Sequence, residues 1–213
     1  LCGTNNIWSP LQLTNLDIPN NTSGNTRVID AAMSTGAAPV YFPPYLHPVY
    51  GYCADGGLFA NNPGMTAITS LMASGVPLTN IWMLSISTGN TLDCYPAAII
   101  NEIGAADFGP LFWIFPTSQT SGTAPNQTYT PSMPLMSAMF DATAEMDTRQ
   151  CTQLLGDQYV RANVTLTQPI ALNDFSPAAI TAMENAVTGY TQPPSPGWAQ
   201  IQSWITNNFG LNG

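Results

Sequence analysis

Apolar and polar positions recur with two different periods along this chain, and the clearest switch between them lies at residues 50–72. Tyr50 and Tyr52, with Phe42 upstream, are residues favoured in strands. Asp55 falls where that strand ends, before Gly56 and Gly57, which permit backbone angles other residues resist. Asn62 then reads as a helix cap and Pro63 as the first helical residue, where a missing N–H costs nothing. Met65, Ile68 and Met72 recur at helical spacing and predict a helix over 64–72. Gly75-Val76-Pro77 stops it. The nearly continuous apolar run at 81–86 predicts a central parallel strand covered on both faces. Strand, helix and strand over 50–87 therefore read as a right-handed βαβ crossover, and the chain as α/β.

The same reading extends to both sides. A strand is expected over 11–16, then a polar loop, then a short helix carrying Val28, Ile29, Ala32 and Met33 with Arg27 at its start. Gly36 ends that helix, and Pro39 leads into a proline-aromatic corner, Tyr41-Phe42-Pro43-Pro44, whose ordinary role is packing. Residues 108–115 crowd five aromatic or aliphatic side chains with a tryptophan, and a Ser/Thr/Pro-rich run follows to 131. A core helix with a surface loop, or an apolar flap over a site, both fit. A helix is expected over 132–155, with Met136, Met139, Phe140 and Met146 on its apolar face and Glu145 paired with Arg149 at i,i+4. Residues 158–164 alternate as a strand. Ser176-Pro177 opens a helix by the same cap-then-proline logic as Asn62-Pro63. Trp198, Ile201, Trp204 and Ile205 mark a last amphipathic helix, after a proline-rich linker at 191–197. No internal repeat is visible.

Composition narrows the classes. A chain of 213 residues with 45% hydrophobic content can bury a substantial core as a single domain, here 1–213. Its mean hydropathy is near zero, and no run approaches the ~18 apolar residues of a membrane span. Charged residues make up only 7%, with no lysine and three arginines, and the net charge is −9. That balance disfavours nucleic acid, whose binding needs cations on the phosphates. It also disfavours adhesion to anionic lipid, so peripheral membrane contact is expected to use apolar surface. The first residue is Leu1, with no basic n-region or apolar h-region after it, which suggests a processed product or a fragment.

Four cysteines (Cys2, Cys53, Cys94, Cys151) show no Cys-x-x-Cys spacing, and with a single histidine, His47, no metal constellation assembles. Neither a metal nor a cofactor is expected. The even count permits two disulfides, but Cys53 inside the predicted strand reads as a small buried apolar residue. His47 reads as structural. Low charge, the absence of lysine and the even cysteine count favour an extracytoplasmic setting.

Three segments in order carry a resemblance. Ala37-Ala38-Pro39-Val40-Tyr41-Phe42-Pro43-Pro44 comes first, then Asp55-Gly56-Gly57 with Asn61-Asn62-Pro63, then residues 81–89 ending Ser87-Thr88-Gly89. Together they resemble the C-terminal half of patatin-like phospholipases, which carry Ala-Ala-Pro-x-Tyr-Phe-Pro-Pro, Asp-Gly-Gly and a strand ending in Gly-Thr-Gly; Ser87 stands in place of the first glycine of that last block. The match is detailed over 28–89 and looser over 147–173, where Tyr159-Val160-Arg161 resembles the family's late Tyr-x-Arg strand. The resemblance implies a three-layer α/β/α fold with a mainly parallel sheet, of which this chain supplies the C-terminal half.

It also implies a Ser–Asp dyad acting on acyl esters of lipids. The serine attacks the ester carbonyl and the aspartate takes its proton directly, which needs hydrogen-bond reach and a carboxyl pKa raised by partial burial. Asp55 is the one catalytic residue carried over, supported by Gly56, Gly57, Asn61 and Asn62. A nucleophile elbow, Gly-x-Ser-x-Gly, and a glycine-rich oxyanion loop lie N-terminal to that aspartate in the family. Neither occurs in this sequence: Ser34 and Ser87 have only the trailing glycine. The expected partner is therefore the half of the protein that carries the serine, and the chain alone is expected to be inactive. A non-catalytic binding module in which Asp55 only braces its turn is the alternative, and an acyltransferase using the same acyl-enzyme is a third reading.

Overall fold

The computed structural model describes residues 2–4, 7–21, 23–91, 95, 97–104, 109–114, 120–121, 128–129 and 134–210. In chain order the elements begin β1 (Cys2–Thr4), β2 (Ile7–Ser9), α1 (Val28–Thr35), β3 (Tyr45–His47) and β4 (Gly51–Cys53). Next come α2 (Gly57–Ala60), α3 (Gly64–Ala73), β5 (Met83–Ile86), α4 (Ala97–Ile103) and α5 (Pro110–Ile114). The remainder is β6 (Thr120–Ser121), β7 (Thr128–Tyr129), α6 (Pro134–Leu155), β8 (Tyr159–Ala162), α7 (Pro177–Thr191) and α8 (Pro196–Phe209). The class is α/β, as expected. Two compact units share these elements: Leu1–Met83 with Met139–Tyr159, and Leu84–Ala138 with Val160–Gly213.

The first unit holds a four-stranded antiparallel sheet in the order β2-β1-β4-β3. Leu46 lies opposite Tyr52 on its exposed face, while Tyr45 opposite Cys53 and His47 opposite Gly51 face inward. This corrects the βαβ reading: β4 has β1 and β3 as neighbours, and β5 pairs with β8 in another sheet. The order of elements along a chain does not fix their pairing. Pro48 and Gly51, the latter at φ +78, bend the chain back so that β3 and β4 pair locally. His47 finishes that hairpin: its Nδ1 accepts from the N–H groups of Val49 (3.1 Å) and Tyr50 (3.3 Å), and its ring lies 4.8 Å from Tyr50. The histidine is structural.

No strand forms over 11–16. Polar side chains take its backbone groups instead: Thr14 N–H donates to Ser23 Oγ, and Asn21 donates its amide to the carbonyls of Thr14 and Leu16. Side chains of this kind compete with a sheet ladder for the same groups. The core of the unit gathers where α3 crosses the second half of α6. Ile68, Ile81, Cys151, Leu155 and Tyr159 are buried together, with Met65, Leu71 and Met83 packed around them. Gln158 closes this core by donating to the carbonyls of Thr79 and Ile81.

In the second unit the β5–β8 pairing continues past the strands, through Ser87 N–H to the Ala162 carbonyl and a parallel bridge between Asn90 and Thr165. The run at 81–86 was expected to be covered on both faces. It alternates instead, with Leu84 and Ile86 exposed, and among the described residues β8 is its one strand neighbour. Of the segment 108–131, Pro110–Ile114 is helical and β6 pairs with β7; Phe108, Phe115 and most of the polar run lie outside the described residues, and the flap expectation with them. Helix α7 starts as expected, while α8 starts at Pro196, inside the segment 191–197 read as a linker. Ser176 Oγ accepts from Ala179 N–H and Ser195 Oγ from Trp198 N–H, both at 3.2 Å.

Candidate active site

Asp55 follows β4 by two residues, at the point where the chain turns into α2. Two contacts fix it. Its backbone N–H donates to the Ala37 carbonyl at 3.0 Å, which ties the turn to the segment leaving α1. Its Oδ1 accepts from Gly57 N–H at 2.7 Å. Its other carboxylate oxygen, Oδ2, has no hydrogen-bond partner among the described residues. The side chain is half-buried and lines an open cleft of about 870 Å³ in the first unit. Leu11 and Leu13, the α1 residues Val28, Ala32 and Thr35, and Thr66 of α3 line the same cleft.

The two glycines after Asp55 are needed for space. Gly56 has φ −65 and ψ −22, an ordinary helical conformation, so the backbone-freedom argument does not apply. A Cβ on Gly56 would lie 3.1 Å from Thr35 Oγ1. A Cβ on Gly57 would meet Asp55 Oδ1 and Phe140 at 3.2 Å and Asn61 Oδ1 at 3.3 Å. A side chain at position 57 would crowd the carboxylate that Gly57 N–H holds. Asn61 is exposed and donates its amide to the Phe140 carbonyl at 3.3 Å, securing α2 to α6.

Asn62 does not cap the next helix. Pro63 occupies the cap position of α3, with no side-chain bond to the helix. Asn62 is buried and donates to Thr148 Oγ1 (3.0 Å) and Tyr159 OH (3.4 Å). The reason is close packing: α3 starts so near α6 that a Cβ on Gly64 would fall 2.7 Å from Cys151 Sγ. A polar side chain at 62 is therefore drawn into the core, where it must find partners.

Sequence reasoning missed the support under α1. Arg27 clasps Asp30 through Nε (2.6 Å) and Nη2 (2.9 Å), and Tyr45 OH donates to the same carboxylate at 2.7 Å. The Arg27 hydrogen bond first, then that of Tyr45, pushes the Asp30 pKa down to about 2. Ser34, the trailing-glycine serine, donates to the Asp30 carbonyl at 2.7 Å and is buried. The i,i+3 spacing of Arg27 and Asp30 was the available signal. Ser87 lies at the end of β5 in the second unit, where its Oγ accepts from Gly89 N–H. Gly89 has φ +104 and would crowd Val164 with any side chain, so this block serves strand packing.

Cys53 also departs from expectation. It is buried, but it is disulfide-bonded, and the residue opposite it in β1 is Cys2. Cys151 is free and buried.

Comparison with known proteins agrees with the motif order. Residues 4–68 match the family model described as patatin-like phospholipase. A cGAMP-activated phospholipase of Vibrio cholerae serotype O1 is 36% identical over 89 residues, covering 38% of this chain and 25% of the relative. A protein of the same description from Escherichia coli is 41% identical over 71 residues, covering 30% of this chain and 20% of the relative. The matched part thus spans a quarter or less of the length of these relatives. No solved structure matches. Over residues 4–68, which hold the first two of its three ordered motifs, the chain is similar to the patatin-like phospholipases.

Proposed function

We propose that this chain is the C-terminal part of one lipid acyl hydrolase domain, in which Asp55 serves as the proton acceptor for a serine carried by the N-terminal part. One observation supports this most: Asp55 Oδ1 is held by Gly57 while Oδ2 is unpartnered among the described residues, on the wall of an open cleft. A carboxylate bonded on both oxygens would be a turn brace. One with a free oxygen in a cleft can take a proton.

The steps are those that the resemblance implies, with Asp55 in the place of the proton acceptor. The serine hydroxyl gives its proton to Asp55 as its oxygen attacks the ester carbonyl. The acyl–oxygen bond of the substrate breaks, and the leaving alkoxide takes the proton from Asp55. Water then gives a proton to Asp55 as it attacks the acyl-enzyme, and the serine recovers that proton as the fatty acid leaves. An alcohol in place of water would make the same site an acyltransferase. The apolar lining by Leu11, Leu13 and Val28 suits a lipid substrate. The disulfide at Cys53 supports an extracytoplasmic setting.

The test uses the full-length protein encoded with this chain and a chromogenic short-chain ester. Asp55→Asn and alanine at the elbow serine are each expected to lower kcat by about 10²–10⁴-fold. Full turnover in the Asp55→Asn protein would support the alternative, a binding module in which Asp55 braces its turn.

A further inference from the structure

Four hydroxyl side chains among the described residues line the Asp55 cleft: Ser34, Thr35, Thr66 and Thr69. Two of them return their proton to their own helix. Ser34 donates to the Asp30 carbonyl at 2.7 Å, and Thr69 to the Met65 carbonyl at 2.9 Å. A hydroxyl has one proton to give, so these two are spent. Thr35, the last residue of α1, does not bond back in this way. It is exposed, and its Oγ1 has no hydrogen-bond partner among the described residues. Thr66 of α3 shares that condition. What sets Thr35 apart is its place. A Cβ on Gly56 would lie 3.1 Å from Thr35 Oγ1, so this hydroxyl stands against the residue that follows Asp55.

We propose that Thr35 is a substrate-contact residue, whose hydroxyl donates to the alcohol oxygen of the bound ester and so favours oxygen esters over thioesters. The proposal rests on reading Asp55 as the proton acceptor. Asp55 must hand its proton to the leaving alkoxide, which brings that oxygen to Oδ2 at the moment its bond to the acyl carbon breaks. A hydroxyl standing over the next residue of the same turn is on the leaving group's side. The carbonyl oxygen has its own donors in the resemblance, a glycine-rich loop outside this sequence, and leaves Thr35 for the other oxygen. A hydrogen bond to an oxygen that is gaining charge strengthens towards the transition state, so it speeds the step as well as binding the substrate. Sulfur in the same position is a weak acceptor and gains little from the hydroxyl.

The experiment compares two substrates that share one acyl group, an ester of an aliphatic alcohol and the matching thioester, with the full-length protein. Thr35→Val keeps the shape of the side chain and removes the donor. It is expected to lower kcat/KM about tenfold on the oxygen ester and less than about twofold on the thioester, and Thr35→Ser is expected to restore the oxygen-ester rate. Equal losses on both substrates, no loss on either, or no recovery with Thr35→Ser would overturn the contact. Should Thr35→Val fail to fold, read by circular dichroism, Thr35→Ala gives the same comparison by removing atoms only. Asp55→Asn in the same preparation separates the two ideas. Turnover that needs Asp55 but shows no oxygen-specific loss at position 35 removes the contact alone. An oxygen-specific loss at position 35 with full turnover in Asp55→Asn upholds the contact and removes the proton acceptor. No turnover of either substrate by the unsubstituted protein would overturn both.

Discussion

Asn62-Pro63-Gly64 and Ser176-Pro177-Ala178 share one local pattern, a capping residue followed by proline, and they fold to different ends. At α7 the pattern does what it suggests: Ser176 Oγ accepts from Ala179 N–H and Pro177 is the first helical residue. At α3 the helix begins one residue later, Pro63 sits at the cap, and Asn62 donates into the core. The difference lies in what stands behind each start. Ala178 is exposed, so local hydrogen bonding decides. Gly64 touches α6, so packing decides, and the asparagine becomes part of the joint that holds the Asp55 turn over the core. A capping pattern describes a helix end only where the end is free.

The largest test of this contrast is at the residues after the prolines. Gly64→Val forces a side chain to within contact distance of Cys151 Sγ and is expected to cost about 3 kcal/mol or more in urea unfolding. Ala178→Val, at the matching exposed position, is expected to change stability by less than about 0.5 kcal/mol. Equal costs would remove the packing explanation. Next in size, Asn62→Leu strands the Tyr159 hydroxyl and takes a donor from Thr148 Oγ1, which keeps its bond to the Ala144 carbonyl, and is expected to cost about 2 kcal/mol, by the same measurement. Ser176→Ala should cost less, about 1 kcal/mol, because water replaces the lost bond at an exposed helix start. A Ser176→Ala loss larger than that of Asn62→Leu would reverse the comparison.

A smaller effect is expected at α1, whose start is held by neither device. Asp30 has its pKa lowered to about 2 by Arg27 and Tyr45, below the ~3.9 of an unfolded aspartate. Its carboxylate therefore favours the fold at every pH above about 4, and that contribution is lost as pH falls from about 4 through 2. Arg27→Gln is expected to move the acid-unfolding midpoint upward, read by circular dichroism. An unchanged midpoint would show that the clasp on Asp30 does not stabilise α1.

The same division between local and non-local causes explains how much of the molecule was legible in its sequence. Helices α1, α3, α6, α7 and α8 were readable because periodicity and start residues act within a turn or two. The pair Glu145–Arg149 formed as expected at 3.1 Å for the same reason. Strand pairing was not readable. β4 was captured by its hairpin neighbour β3, and residues 11–16 lost their ladder to Ser23 and Asn21. At the site, the ordered motifs located Asp55 and its glycines, yet the reason for the glycines is steric crowding that only the folded chain reveals. The outward apolar face of α1, where Val28, Ile29 and Met33 are exposed, was hidden by the ordinary assumption that such residues point inward.

The most direct test concerns Asp55 itself, the residue that this joint positions. The purified chain Leu1–Gly213 is assayed on a chromogenic ester, alone and after addition of the polypeptide proposed to carry the elbow serine, each with Asp55 and with Asn at that position. The expected result is no turnover by the chain alone and turnover on mixing that requires Asp55. Turnover by the chain alone that is lost on Asp55→Asn would contradict it, because it would place a nucleophile within these 213 residues.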